Sequence, residues 1–386
     1  MRKPFEFFAI ALLITGLSTG ANVARAEDST AKIDAVVHKN AAQVMQQYNV
    51  PGLAIAVSVN GKTHFYNLGL ASKATQAPVT SDTLFEVGSI SKVFTATLAT
   101  YAQANGQLSL NDPVSTYLPE FQNTPFGNVP LMHLATHTGG GFPLQVPDAV
   151  QNDAQLMGYL KAWKPEYVAG SKRSYANPSI GMLGLITAKR MNMPYAQALQ
   201  GQLFPALGLK HSYLNIPASE MPLYAQGYNK QDEPVRLGAG VLADEAYGVK
   251  TTARDLIHFA QLNMGLGSTS ETVRRALADT HVGYYQVGPM TQDLVWEQYP
   301  YPVELKALLD GNSNTMAYET NAAVALTPAQ APQQQVWINK TGSTNGFGGY
   351  IAFIPAKKQA VVILANKNYP NAARVELAYA LLAALN

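Results

Sequence analysis

Wound at about 3.6 residues per turn, Ile33, Val36, Val37, Ala41, Val44, Met45 and Tyr48 fall on one face, which predicts an amphipathic helix ended by Pro51-Gly52. The pattern then changes period. Leu53 to Val59 and Thr63 to Leu68 are β-rich runs joined by Asn60-Gly61, a pair that tolerates the positive φ values of a tight mirror-image turn, and so predict a hairpin. A polar loop leads to Phe85-Glu86-Val87-Gly88-Ser89-Ile90-Ser91-Lys92. Beyond it Val93, Phe94, Leu98 and Tyr101 return at helical spacing until Asn105-Gly106 gives a stop. From Asn105 to about Asn263 the pattern is mostly helical with Pro- and Gly-punctuated loops. Strands are expected again only at Trp337 to Thr341, Gly349 to Ile354 and Ala360 to Ala365, followed by a closing helix from Arg374 to Leu385 with Val375, Ala378, Leu381, Leu382 and Leu385 on one side. Two strands at one end and three at the other predict a single antiparallel sheet built from both termini. The expected organisation is an α/β (α+β) domain formed by residues 27–104 with 264–386, a mostly helical domain at 105–263 inserted between its halves, and the active site between the two. No internal repeat or low-complexity tract interrupts this.

Composition narrows the chemistry. The chain has 386 residues, 47% of them hydrophobic, enough for one large domain or two. It has no cysteine, which removes disulfides, thiolate nucleophiles and cysteine-ligated zinc together. Residues 1–26 have the form of a secretory signal: Arg2 and Lys3 lead, Phe7 to Leu17 form an apolar core, and Ala24-Arg25-Ala26 offers a cleavage site. With 27 Lys+Arg against 25 Asp+Glu in the full chain, loss of Arg2, Lys3, Arg25 and Glu6 leaves a formally neutral protein. That balance suggests neither nucleic acid nor an anionic membrane as a partner. No later apolar run reaches the roughly 18 residues of a membrane span. The expectation is an exported monomer whose simplest destination is a bacterial periplasm.

Candidate chemistry starts at Ser89. Ser89 and Lys92 stand three apart at the start of a predicted helix, so the ammonium returns beside the hydroxyl, while the helix N-terminus favours negative charge developing there. Two other patterns carry little weight. Gly16-Leu17-Ser18-Thr19-Gly20 matches a nucleophile elbow but lies in the signal. His133 and His137 have the spacing of two zinc ligands on a helix, but Leu134 stands where a metalloprotease glutamate belongs and no third ligand cluster is evident, so no metal is expected. Two later motifs, Tyr175-Ala176-Asn177 before a helix-like segment and Lys340-Thr341-Gly342-Ser343 at the end of a predicted strand, are each common alone. The order S-x-x-K, Y-x-N, K-T-G is specific.

In that order the chain resembles the serine β-lactamases and penicillin-binding proteins, and within them the class C (AmpC-type) cephalosporinases, in which a tyrosine motif replaces S-D-N. The resemblance covers nearly the whole mature chain, including Gly139 to Asp148, Ala246-Tyr247-Gly248-Val249-Lys250 and Ala365 to Asn371. His137 and Gly139-Gly140 depart from the family, which more often shows a tyrosine and an alanine-containing run there.

The resemblance implies the β-lactamase/penicillin-binding-protein fold and a small-molecule β-lactam substrate with no cofactor. Ser89 becomes acylated, with Lys92 or Tyr175 taking its proton, and the backbone N–H groups of Ser89 and Ser343 hold the oxyanion. Gln145 and Asn177 hold the substrate's acyl amide, and Lys340, Thr341, Asn368 and Asn371 face its carboxylate. Asn368 and Asn371 also read as turn residues around Pro370. Glu166, in Lys164-Pro165-Glu166-Tyr167-Val168, does not match the deacylating glutamate motif of class A enzymes. Tyr175 is therefore the expected activator of the deacylating water. A D-alanyl-D-alanine carboxypeptidase and an esterase share the fold, and a non-catalytic periplasmic binding protein would keep the cleft without turnover.

Overall fold

The computed structural model describes residues 18–385. The apolar face recognised at Ile33 belongs to α1 (Ser18–Tyr48), where Ile33, Val37, Ala41 and Val44 are buried against the sheet at steps of four, four and three. Most of the expected signal, including Arg2, Lys3 and Phe7 to Leu17, lies outside the described residues. The hairpin forms between β1 (Gly52–Val59) and β2 (Lys62–Ser72). Val59 pairs with Lys62, so Asn60 and Gly61 alone make the turn, at φ +51° and +83°.

The remaining elements that place the site are β3 (Ala77–Pro78), α2 (Ser91–Ala104), α3 (Asn177–Arg190), α4 (Ala253–Asn263), β4 (Gly283–Val287), β5 (Met290–Gln292), β6 (Glu297–Pro300), β7 (Val324–Gln330), β8 (Val336–Ser343), β9 (Gly348–Ile354), β10 (Gln359–Ala365) and α5 (Asn371–Ala383). The strands form one ten-stranded sheet in the order β7-β4-β5-β6-β8-β9-β10-β1-β2-β3. β10 pairs along the whole of β1, from Leu53 opposite Ala365 to Val59 opposite Gln359, so the two ends of the chain meet in the middle of the sheet as expected.

One expectation is corrected. Strands of this sheet resume at Gly283, not at Trp337, and four of them, β4 to β7, precede β8. Their residues hid them. Gln292, Glu297 and Gln298 are polar yet buried, and β7 is exposed along nearly its whole length, so the apolar alternation that marks a strand is missing.

The central strands are covered on both faces. On β1, Leu53, Ile55 and Val57 pack with α1 and α5, whereas Ala54 and Ala56 face the side that holds α2 and α4. This is why β1 and β10 read as unbroken apolar runs. α4, which sequence placed with the helical region, lies on the sheet, where Gln261 Nε2 donates to Ser58 Oγ, Thr63 Oγ1 and the Gly61 carbonyl. α2 is buried on nearly every side. Its Thr97 and Thr100 return their hydroxyls to the Val93 and Ala96 carbonyls, so these polar side chains are satisfied within the helix.

Candidate active site

Ser89 owes its position to a glycine. Gly88 has φ +50°, and a Cβ there would collide with the Ser343 backbone. Only glycine lets the chain turn this close to the end of β8. The turn is one short 3-10 segment, Gly88–Ile90, leading into α2 at Ser91.

Lys92 Nζ donates to Ser89 Oγ at 2.9 Å and to the Ala246 carbonyl at 2.8 Å. The ammonium is fully buried. Burial pushes its pKa down to about 8, opposed by Tyr175 and reinforced by Lys340.

Tyr175 lies between the short strand Lys172–Ser174 and α3. Lys92 Nζ and Lys340 Nζ are each 5.1 Å from its ring centroid, and Arg173 Cζ is 5.4 Å away. Burial alone would raise this phenol. The attraction of Lys340 and then Lys92, with a contribution from Ser89, reverses that and brings it down to about 8. The hydroxyl itself is buried without a well-formed hydrogen bond to any described residue.

Two of the surrounding cations, Arg173 and Lys340, share one carboxylate. Buried Arg173 donates to Gln292 Oε1 at 2.6 Å and to the Met316 carbonyl at 2.7 Å, and pairs with Glu297 at 3.4 Å. Glu297 also lies 3.9 Å from Lys340 Nζ and accepts from Asn339 Nδ2 at 3.1 Å. Sequence reading missed Arg173 and Glu297. On an extended strand alternate residues share a face, so Arg173, two before Tyr175, was detectable in principle.

At the other end of the cleft Arg374, also missed, is completely buried in the first turn of α5. It donates to the Gly342 carbonyl and Ser343 Oγ, each at 2.9 Å, to Asn368 Oδ1 at 2.7 Å, and to the Tyr369 carbonyl. Gln145 and Asn177 are joined directly, Asn177 Nδ2 donating to Gln145 Oε1 at 2.9 Å. The Asn177 backbone N–H meets the Leu144 carbonyl at 2.9 Å, which ties the Gln145 loop to the start of α3.

Ser89, Gln145, Tyr175, Asn177, Lys340, Thr341, Ser343, Asn368 and Asn371 all line one cleft of about 490 Å³, with Lys92 behind Ser89. Asn371 is the first residue of α5. Glu166 is not part of that lining. The two histidines spaced like zinc ligands do not share a helix, because Leu131–Ala135 ends before His137, which has φ +59°. His133 Nδ1 instead meets Thr138 Oγ1 at 2.7 Å. Among the described residues no group of three His, Cys, Asp or Glu is arranged to hold a metal. Nor is any helix among them long and apolar enough to cross a membrane.

A serine held by a buried lysine, beside a phenol flanked by cations and at the rim of an antiparallel sheet, defines a serine hydrolase of the β-lactamase and penicillin-binding-protein fold. The chain belongs to the β-lactamase family, whose profile matches residues 37–386, and to its class C group. A β-lactamase from Lysobacter lactamgenus is 51% identical over 349 residues, which cover 90% of this chain and 91% of that protein. Among solved structures, a β-lactamase/D-alanine carboxypeptidase from Pseudomonas syringae is 58% identical with a TM-score of 0.90, covering 91% of this chain and 98% of its own. A class C β-lactamase in complex with cefoxitin is 50% identical with a TM-score of 0.90, covering 92% and 99%.

Proposed function

We propose that this protein hydrolyses β-lactam antibiotics, cephalosporins foremost, through an acyl-enzyme on Ser89, and thereby confers resistance. The observation that carries this reading is the buried Lys92 ammonium on Ser89 Oγ, beside a phenol brought down to about 8 by Lys340 and Lys92 against the opposing effect of burial. Ser89 Oγ attacks the lactam carbonyl and gives its proton to the Tyr175 phenolate or to neutral Lys92. The C–N bond then breaks, and the departing nitrogen takes that proton. Water attacks the resulting ester and gives a proton to Tyr175, which passes it to Ser89 Oγ as the ester C–O bond breaks, releasing the ring-opened acid and regenerating the free serine. The backbone N–H groups of Ser89 and Ser343 serve as oxyanion donors, each typically worth about a hundred- to a thousandfold in rate. Gln145 and Asn177 bind the acyl amide. Lys340, Thr341, Asn368 and Asn371 face the carboxylate, with Arg374 positioning Ser343 and Asn368.

In this reading the cleft lies between the α/β domain of residues 27–104 with 264–386 and the helical domain of 105–263. Residues 1–26 direct a monomer to the periplasm. A second reading, cleavage of D-alanyl-D-alanine peptides, is favoured by one observation: the Pseudomonas syringae relative bears both names.

Purified protein is expected to turn over a chromogenic cephalosporin repeatedly, at about 1–10³ s⁻¹. Ser89→Ala should stay folded, show no turnover, and lack the mass adduct that the parent forms with a slow β-lactam. Acylation that stalls for minutes alongside brisk release of D-alanine from a peptide would favour the second reading. An unchanged adduct on the variant would remove Ser89 from its role.

A further inference from the structure

The Tyr175 hydroxyl interacts with Ser89 and Lys92 without the geometry of a full hydrogen bond, and three cations stand within 5.4 Å of the centre of its ring, so its place depends also on how the ring and the adjoining backbone are held. Three of the restraints on that ring and backbone trace to one residue. The His137 carbonyl accepts the Ser174 N–H at 2.9 Å, and His137 Nδ1 accepts the Ala176 N–H at 3.3 Å, so both neighbours of Tyr175 are tied to it. Its ring packs on the Tyr175 ring at 4.4 Å between centroids, tilted 44°. We propose that His137 is a positioning residue for the Tyr175 phenol, fixing the oxygen between Ser89 and the two lysines. The inference rests on Tyr175 serving as the proton acceptor in the reading above.

Backbone and charge both fit the role. His137 has φ +59°, a left-handed conformation in which histidine is enriched and β-branched residues are strained. That turn, just past the helix Leu131–Ala135, points its carbonyl and ring at the same short segment. An acceptor Nδ1 places the imidazole hydrogen on Nε2, which is buried without a partner among the described residues. The charged and titratable groups facing the ring are Arg173 and Tyr175 of its own neighbouring segment, Lys92 of α2 and Lys340 of β8. Burial, then Arg173, Lys92 and Lys340, hold the ring neutral far below the ordinary histidine range. The phenol thus gains a rigid wall that adds no fourth positive charge.

The test uses three variants of the full chain. His137→Asn suits the left-handed backbone and keeps an acceptor but loses the ring, His137→Phe keeps a ring without the acceptor, and His137→Ala removes both. In the Ala variant kcat on a chromogenic cephalosporin should fall at least tenfold, because misplacement of about 1 Å costs on the order of 10² in rate. KM should change less than about threefold, and the acid limb of the pH profile should move to higher pH as the phenolate leaves its cations. The Asn and Phe variants should fall between Ala and parent, and if Ala does not fold they decide on the same readouts. Tyr175→Phe is run beside them: parent-like activity there overturns the Tyr175 reading itself. If Tyr175→Phe is impaired while every folded His137 variant keeps kcat within about threefold and an unmoved limb, the positioning role alone is wrong. Nitrogen NMR of the parent gives a check independent of folding, since a hydrogen on Nδ1 at pH 7 is incompatible with the Ala176 bond.

Discussion

Lys340→Met tests the electrostatic core of the site. Lys340 Nζ is 5.1 Å from the Tyr175 ring centroid, and methionine replaces the long stem without the charge. At an effective dielectric of about 20, a unit charge at about 5 Å stabilises the phenolate by about 3 kcal/mol. That corresponds to about two pK units. The value is an upper bound, because Glu297 at 3.9 Å from Lys340 already offsets part of its charge. The sign is the same for the partner base: Lys340 also pushes Lys92 down, so removing it raises both groups. The apparent limb belongs to the coupled pair. With the parent limb near 8, the variant's should move up by about one to two units, lowering kcat/KM at pH 7 about ten- to a hundredfold. The assay is kcat/KM for a chromogenic cephalosporin from pH 5.5 to 10 at constant ionic strength. Lost contact with the substrate carboxylate shifts the whole curve down, whereas the charge effect shifts its limb sideways, so the two separate. A limb within about half a unit of the parent's would refute the claim that Lys340 sets the proton acceptor.

Two further outcomes follow from residues outside the cleft. Asp293 is fully buried with neither carboxylate oxygen hydrogen-bonded to a described residue, and burial holds its carboxyl well above the usual range. A folded value above the unfolded one, about 3.9, means that stability is fully present below that pH and is lost as pH rises through the folded value. Asp293→Asn should therefore stabilise the protein more at pH 8 than at pH 4 in urea titrations, and an equal change at both pH values would contradict it. EDTA should leave cephalosporin hydrolysis intact; a loss restored by zinc would bring His133 and His137 back as ligands.

What was legible in the sequence was local. Asn60-Gly61 specifies a turn through its own φ preferences, and Ser89 with Lys92 is one helical step, so both could be read without knowing the fold. The apolar runs of β1, β8, β9 and β10 were visible because both faces of the central sheet are covered. β4 to β7 were not, since buried Gln292, Glu297 and Gln298 carry polar atoms that reach distant partners such as Arg173 and Gln330 in the finished structure. The same holds for charges. Arg173 meets a glutamate 124 residues away, and Arg374 meets Ser343 across 31, and in sequence each looks like a solvated surface cation. In sequence Arg374 marks only the start of the expected closing helix.

The site also depends on how closely two backbones approach, and this gives a last prediction. Ser89 and Ser343 come from different elements, the turn before α2 and the end of β8, and the proposed sharing of one oxyanion by their amides requires that these elements nearly touch. Gly342 makes the approach possible. A Cβ there would run into the Val87 carbonyl and come within 2.8 Å of the Ile90 N and 3.0 Å of Ile90 Cγ1. Its φ is not left-handed, so alanine carries no backbone strain of its own and the whole effect is the collision. Relief requires the end of β8 to move away from the turn by a sizeable part of an ångström, opposed by Arg374, which holds the Gly342 carbonyl at 2.9 Å. Overpacking of this kind costs about 1–3 kcal/mol. The folded fraction should therefore survive with a lowered Tm. Misplacement of the Ser343 amide by up to about 1 Å should reduce kcat by up to about a hundredfold. Stopped-flow acylation should show the loss in the first chemical step, before any effect on hydrolysis of the ester. Gly342→Ala with acylation within about threefold of the parent would mean that the Ser343 amide does not bear on the reacting oxygen.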